Sequence, residues 1–118
     1  VPWDCSVMLH AAGFKDAFRV IYPNPVTHPG FTYPSYNPDV PISKLAWTPE
    51  ADDRDRIDYI YFKSLNTTLK LKDIKIVGPD ATVSYAQKQE KDSQDDFILA
   101  KTVWPTDHKG LLATFTIK

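Results

Sequence analysis

The sequence predicts an α/β chain of the α+β kind, one mixed or antiparallel β-sheet with one or two helices. Three observations carry this expectation. Apolar residues alternate with period two in three stretches, 56–62, 69–77 and 111–117, as strands require. A short apolar run near the start ends at a glycine, the length and stop signal of a helix. Hydrophobic residues make up 42% and charged residues 25% of the 118, a balance that builds a core and excludes a disordered, collagen-like or disulfide-scaffold chain.

The first element is a helix over Cys5-Ser6-Val7-Met8-Leu9-His10-Ala11-Ala12, with Gly13 behind it and Asp4 or Ser6 as cap. Asp16-Ala17-Phe18-Arg19-Val20-Ile21 suits a helical turn or a short strand equally well. Eight of the ten prolines lie at or before Pro49, and their density from Tyr22 onward rules out a continuous helix or central strand there. An extended, ordered loop is expected over 22–49. In the first strand Ile57, Tyr59 and Tyr61 alternate with Asp58, Ile60 and Phe62, so both faces are largely apolar, as in a strand covered on both sides. In the second, Leu69 and Leu71 share one parity and Ile74 and Ile76 the other, which places a bulge near Asp73. Residues 79–96 are polar and form a long surface loop, and Leu111 to Ile117 is the last strand.

Charge and composition narrow the chemistry. Lys plus Arg number 14 against 15 for Asp plus Glu, a net charge of -1, which argues against a nucleic-acid clamp spread over the whole surface. A lone cysteine, Cys5, permits no internal disulfide and no cysteine-based zinc site, and is expected to be a buried small apolar residue. No stretch reaches the roughly 18 apolar residues of a membrane span, and no targeting segment is visible, so compartment stays open. The charged run from Glu50 to Arg56 lacks the glycine and closing glutamate of a calcium loop and is expected to be solvated. Asn66-Thr67-Thr68 fits the N-glycosylation pattern, a signal without meaning outside secretion.

Two residues stand out. Asp58 places a carboxylate inside an apolar strand, which is costly unless the group is paired. His108 follows Asp107 in Trp104-Pro105-Thr106-Asp107-His108-Lys109-Gly110, at the mouth of the last strand, where a scaffold can aim a side chain. Paired with His108, Asp58 would hold one imidazole nitrogen and leave the other for proton transfer. The alternative is an ion pair from Asp58 to Arg56 or Lys63 with His108 on the surface. His10 and His28 are expected to be structural.

Arg56-Ile57-Asp58-Tyr59-Ile60, followed about fifty residues later by Thr106-Asp107-His108 and a terminal strand, resembles the C-terminal half of the deoxyribonuclease I-like endonuclease/exonuclease/phosphatase superfamily. Ala12-Gly13-Phe14-Lys15-Asp16-Ala17-Phe18-Arg19 and Pro29-Gly30-Phe31-Thr32-Tyr33 precede these motifs in the family's order, so the resemblance spans nearly the whole chain.

The resemblance implies a divalent-metal-dependent phosphoesterase (phosphodiesterase, nuclease or phosphatase). It assigns His108 as the catalytic histidine, Asp58 as the carboxylate that orients it, Asp107 as an acid that takes part in binding Mg²⁺ or Mn²⁺, and Thr32 and Tyr33 as lining of the substrate cleft. Phosphate esters, nucleic acid, phospholipid and phosphoinositide are its substrate classes. It also implies that residues 1–118 are the C-terminal part of one domain, half of a four-layer αββα sandwich. The family's metal-binding Glu and its Gly-Asp-Phe-Asn motif do not occur here. The missing half, or a dimer partner, is expected to cover an apolar sheet face, and the chain alone to be inert. The competing expectation is a non-catalytic carbohydrate- or protein-binding module built on Trp3, Tyr33, Tyr36 and Trp47.

Overall fold

Each apolar pattern becomes an element whose length is set by where its backbone hydrogen bonds can go. The computed structural model describes residues 3–35, 54–79, 93–100 and 103–118. Tyr36, Trp47, most of the proline-rich and polar loops, and the 50–53 end of the charged run lie outside the described residues. In chain order the elements are α1 (Asp4–Ala11), β1 (Lys15–Asp16), α2 (Ala17–Ile21), β2 (Tyr61–Phe62), β3 (Leu69–Gly78), β4 (Phe97–Leu99) and β5 (Gly110–Ile117). The chain is therefore α+β, with a mixed sheet of order β4-β3-β5 and a small antiparallel pair β1-β2.

The expected glycine stop on α1 is a Schellman closure: Gly13, at φ 86°, donates to the His10 carbonyl and Phe14 to the Leu9 carbonyl. At the other end the structure departs from expectation. Trp3 is the N-cap and makes no side-chain cap bond, while Asp4 is the first helical residue and sits favourably at the positive end of the helix dipole. α1 buries none of its residues, so Cys5 is exposed rather than buried. The helix is tethered through Ser6, whose Oγ accepts from the Tyr61 hydroxyl at 2.9 Å, and through the edge of His10 against the Tyr61 ring.

Asp16 resolves the ambiguity of its segment by serving both structures. Its backbone pairs with Tyr61 in β1, and its Oδ1 caps α2 by accepting from the Phe18 N–H at 3.1 Å. Ala17 and Phe18 of α2 then enter the core with Ile74 and Ile76 of β3, and Ile21, Tyr22, Ile60, Phe62, Leu71, Leu111 and Ala113 pack around them.

The parity change in β3 is a bulge. β3 pairs antiparallel with β5 from Leu69↔Ile117 to Val77↔Gly110, and the register slips between Leu71 and Asp73, leaving Lys72 as the extra residue. That insertion returns Ile74 and Ile76 to the face already taken by Leu71. Without it the two isoleucines would point away from α2. β4 adds in parallel on the other edge, Ile76 opposite Phe97. On the opposite face Val77, Ile98 and Leu112 sit among Asp73, Lys75 and two threonines, with Ile98 and Leu112 exposed.

The expected strand over 56–62 shortens to Tyr61–Phe62. The reason lies in its donors: the N–H groups of Ile57 and Asp58 both go to the Thr32 hydroxyl. A ladder needs those groups free, so the segment stays extended without becoming a full strand.

Residues 22–30 are held by Arg19, whose guanidinium donates to the carbonyls of Tyr22, His28 and Pro29. His28 is structural as expected, its ring stacked on Tyr22 at 4.5 Å. Gly30, at φ 74°, lies against Phe18, and a Cβ there would fall 2.6 Å from the ring. The Gly30 N–H donates to Asp95 Oδ2 at 2.8 Å, tying this loop to the segment before β4. Asp95 Oδ1 is buried without a partner among the described residues, and burial pushes its carboxyl above the ordinary carboxylate value of 3.8, opposed by the Gly30 bond and the charges of His28, Arg19 and Lys109.

Two outcomes follow from this packing. Gly30→Ala combines a left-handed backbone with a clash on a core ring and is expected to cost about 2–4 kcal/mol in urea unfolding. Asp95 holds its proton to higher pH folded than unfolded, so stability falls as pH rises from the ordinary carboxylate value through the raised one. Asp95→Asn removes that step. Relative to the unmodified chain, it should gain stability between acid below 3.8 and neutral pH in a pH series of unfolding curves. A constant difference across that series would contradict the assignment.

Candidate functional site

Three segments distant in sequence meet at Thr32. Its side chain and backbone are fully buried, at 0% exposure. The hydroxyl accepts from Ile57 N at 3.3 Å and Asp58 N at 3.2 Å, the N–H donates to the Asp55 carbonyl, and the carbonyl accepts from Lys109 N at 2.6 Å. Tyr33 continues the junction as an antiparallel bridge to Asp55, and Ser35 N donates to the Asp107 carbonyl at 2.6 Å. The 32–35 segment is thus a splint between the Asp58 segment and the loop that carries Asp107 and His108.

The splint brings the two anomalous residues together. His108 Nδ1 and Asp58 Oδ2 are 2.8 Å apart, and each side chain is a little over one third exposed, at 36% and 39%. The alternative reading, Asp58 paired to Arg56 or Lys63, does not occur. Arg56 turns to Asp16 at 2.5 Å and over the Tyr59 ring, while Lys63 donates to the Ala12 carbonyl. Burial pushes the Tyr59 phenol above its ordinary value, against the pull of Arg56, and its hydroxyl donates to the Arg56 carbonyl.

The histidine loop has its own supports. Trp104 Nε1–H donates to the His108 carbonyl at 2.6 Å, and its ring lies over Gly110, the first residue of β5. His108 N donates to Thr106 Oγ1, which itself donates to Asp107 Oδ1. The Tyr33 ring meets the imidazole edge-on, with centroids 5.4 Å apart. With Nδ1 directed at Asp58, the imidazole carries Nε2 as its second functional atom, and no partner holds Nε2 among the described residues.

The sequence-predicted residues therefore fall into three groups. Asp58 and His108 form a contact pair, and Asp107 stands beside them on the same loop, half-buried. Tyr33 packs directly on His108. Thr32 is corrected: a fully buried residue whose hydroxyl already accepts two backbone bonds cannot line a substrate cleft, and its place is beneath the site. Of the aromatic residues named for a binding module, Trp3 caps α1 in solvent and Tyr33 belongs to the histidine site. Sequence reading passed over Trp104 and Lys109. Lys109 is only 3% exposed with its ammonium 5.6 Å from the Phe97 ring, although it directly follows a half-buried loop histidine. The visible signal was an indole four residues before His108, within reach of its backbone carbonyl.

Among the described residues, no three His, Cys, Asp or Glu side chains stand close enough to hold a metal ion. Asp107 offers one carboxylate, and Mg²⁺ binds through one or two carboxylates together with waters or substrate phosphate oxygens.

No family model matches the chain, and no solved structure matches it. It is similar to an uncharacterized protein of Caenorhabditis elegans, with 30% identity over 116 residues, which cover 98% of this chain and 32% of that protein. The chain spans about one third of the length of the curated relative it matches.

Removing the Thr32 hydroxyl while keeping its shape leaves the Ile57 and Asp58 N–H groups without their acceptor. Thr32→Val is expected to cost about 2–4 kcal/mol in chemical denaturation, and Thr32→Ser, which keeps the oxygen, less than half of that. Equal losses in the two variants would show that the methyl, not the hydroxyl, matters.

Proposed function

We propose that the chain supplies the histidine-bearing wall of a phosphate-ester hydrolase, in which Asp58 orients His108 and His108 controls a proton at the scissile phosphate. The contact at 2.8 Å between Asp58 Oδ2 and His108 Nδ1, across fifty residues of sequence, is the observation that carries this reading. Hydrolysis of a phosphodiester forms one P–O bond to water and breaks one to the leaving oxygen, so the water must lose a proton and the leaving oxygen must gain one. A carboxylate on Nδ1 fixes the orientation and tautomer of the ring and leaves Nε2 to exchange a proton with a water, phosphate or leaving-group oxygen. Tyr33 closes one side of the ring, and the Trp104 bond keeps the loop from turning His108 away.

A divalent cation such as Mg²⁺ or Mn²⁺ would neutralise charge on the phosphoryl oxygens when bound. On this reading Asp107 would join its ligand set, and further ligands would come from outside the described residues. The same reading extends to the fold: the mixed sheet would be one layer of a four-layer sandwich, with Val77, Ile98 and Leu112 as the strip a second sheet covers. On this reading, activity belongs to a longer protein that includes the second half, and the 118 residues alone are inert. The resemblance supports this proposal through Arg56-Ile57-Asp58-Tyr59-Ile60 and Thr106-Asp107-His108. Substrate class within the phosphate esters is left to loops, where such scaffolds vary.

The test is hydrolysis of bis(p-nitrophenyl) phosphate with Mg²⁺ or Mn²⁺ by the full-length protein. His108→Ala is expected to lower kcat roughly 10²–10⁴-fold, and Asp58→Asn to lower kcat with little change in KM while altering the pH profile. Turnover by His108→Ala at the unmodified rate would sink the proposal, as would turnover by the isolated chain that His108→Ala abolishes for the claim of inertness.

A further inference from the structure

Directly after His108 stands a residue that ordinary burial rules place in water. Lys109 is 3% exposed and is the one buried lysine among the described residues. Its ammonium lies 5.6 Å from the centroid of the Phe97 ring, within the range of a cation–π contact. Phe97 in turn packs against the core of Ala17, Phe18, Ile74 and Ile76. The Lys109 backbone N–H donates to the Thr32 carbonyl at 2.6 Å, and β5 begins at the next residue. The end of the histidine loop is therefore fastened twice, by its main chain to the splint and by its side chain to β4.

Asp95, two residues before Phe97, feels the charge of Lys109, which favours its ionised form, and its Oδ2 accepts from the Gly30 N–H at 2.8 Å. Gly30 leads through Phe31 to Thr32. The connections thus close a ring: from Lys109 to Thr32, back along the chain to Gly30, across to Asp95, and through Phe97 to Lys109 again. Stability does not account for a lysine in this place. Taking an ammonium out of water is costly, and an apolar side chain of similar length would pack on Phe97 without that cost. What the cation adds is direction. A flexible thioether such as methionine fills a gap in many rotamers, whereas an ammonium is drawn to one position over a ring face.

We propose that Lys109 is a positioning residue for His108, its buried ammonium on Phe97 holding the loop in the orientation that sets the imidazole against Asp58. The Trp104 and Thr106 bonds hold the loop from its outer side, and Lys109 holds it from the core. The consequence for turnover rests on the hydrolase reading, whereas the consequence for the imidazole does not.

The experiment combines two readouts on the full-length protein: imidazole ¹H–¹⁵N spectra after histidine labelling, with the His108 ring assigned through His108→Ala, and hydrolysis of bis(p-nitrophenyl) phosphate with Mg²⁺ or Mn²⁺. In Lys109→Met the Nδ1 and Nε2 signals of His108 are expected to move toward the averaged positions of a free imidazole. The same variant should lower kcat about tenfold with KM held within about twofold, while its midpoint of urea unfolding does not fall. Phe97→Leu takes the ring away from the cation and should shift the same signals in the same direction, and adding Lys109→Met to it should shift them little further. His108 signals that stay in place in Lys109→Met would overturn the proposal. So would a loss of stability large enough to unfold that variant, because the lysine would then belong to the fold rather than to the site. Signals that move as expected in a full-length protein without phosphodiesterase activity would support the positioning role and count against the hydrolase reading alone.

Discussion

The hydroxyl of Thr32 accepting from two consecutive backbone N–H groups is the interaction on which the site depends. A strand can present a side chain at a defined height only if its own backbone is anchored, and 56–60 has surrendered its ladder. What replaces the ladder is one buried oxygen beneath Ile57 and Asp58 and one buried carbonyl beneath Lys109. Both belong to Thr32. The carboxylate and the imidazole are therefore referenced to the same residue from opposite sides, and a shift of either segment alone would break a backbone bond in a fully buried place. Around this point the rest is arranged in shells: Arg19 and Gly30 hold the approach to the splint, the bulged β3 supplies the core floor, and β5 starts at the end of the histidine loop.

Much of this was legible in the chain. The parity change between Leu71 and Ile74 announced the bulge, because alternation in a strand covered by one helix admits no other way to keep four aliphatic residues on one face. Gly13 after an apolar run announced the helix stop. Asp58 and His108 were legible for a different reason: a carboxylate in an apolar stretch and a histidine at a strand mouth each violate a local preference, and violations tend to be paired. Tertiary donors were not legible. Nothing in Arg56-Ile57-Asp58-Tyr59-Ile60 signals that its N–H groups go to a threonine 25 residues upstream, so a full strand was the natural expectation and a two-residue one the outcome. Thr32 was misplaced for the same cause. A threonine beside a tyrosine in a loop looks like cleft lining until its hydroxyl is seen to be occupied. Cys5 shows the limit of residue-type averages: cysteines are usually buried, but a helix that buries no residue cannot bury this one.

The energetics of the Asp58–His108 contact bear on how the proposed function is to be read. Both side chains are more than one third exposed, and exposed ion pairs contribute about 0–1 kcal/mol. Such a contact does little to hold a fold together. Yet the backbone on either side is tied down by buried bonds at 2.6–3.3 Å, by an indole N–H on the His108 carbonyl, and by a tyrosine ring against the imidazole. A structure that needed only stability would place its strongest anchoring under its most stabilising contacts. Here the anchoring lies under a contact of small energetic worth. That mismatch supports the proposed role in proton transfer, because such a role depends on the precision of the imidazole rather than on the strength of its contact with Asp58.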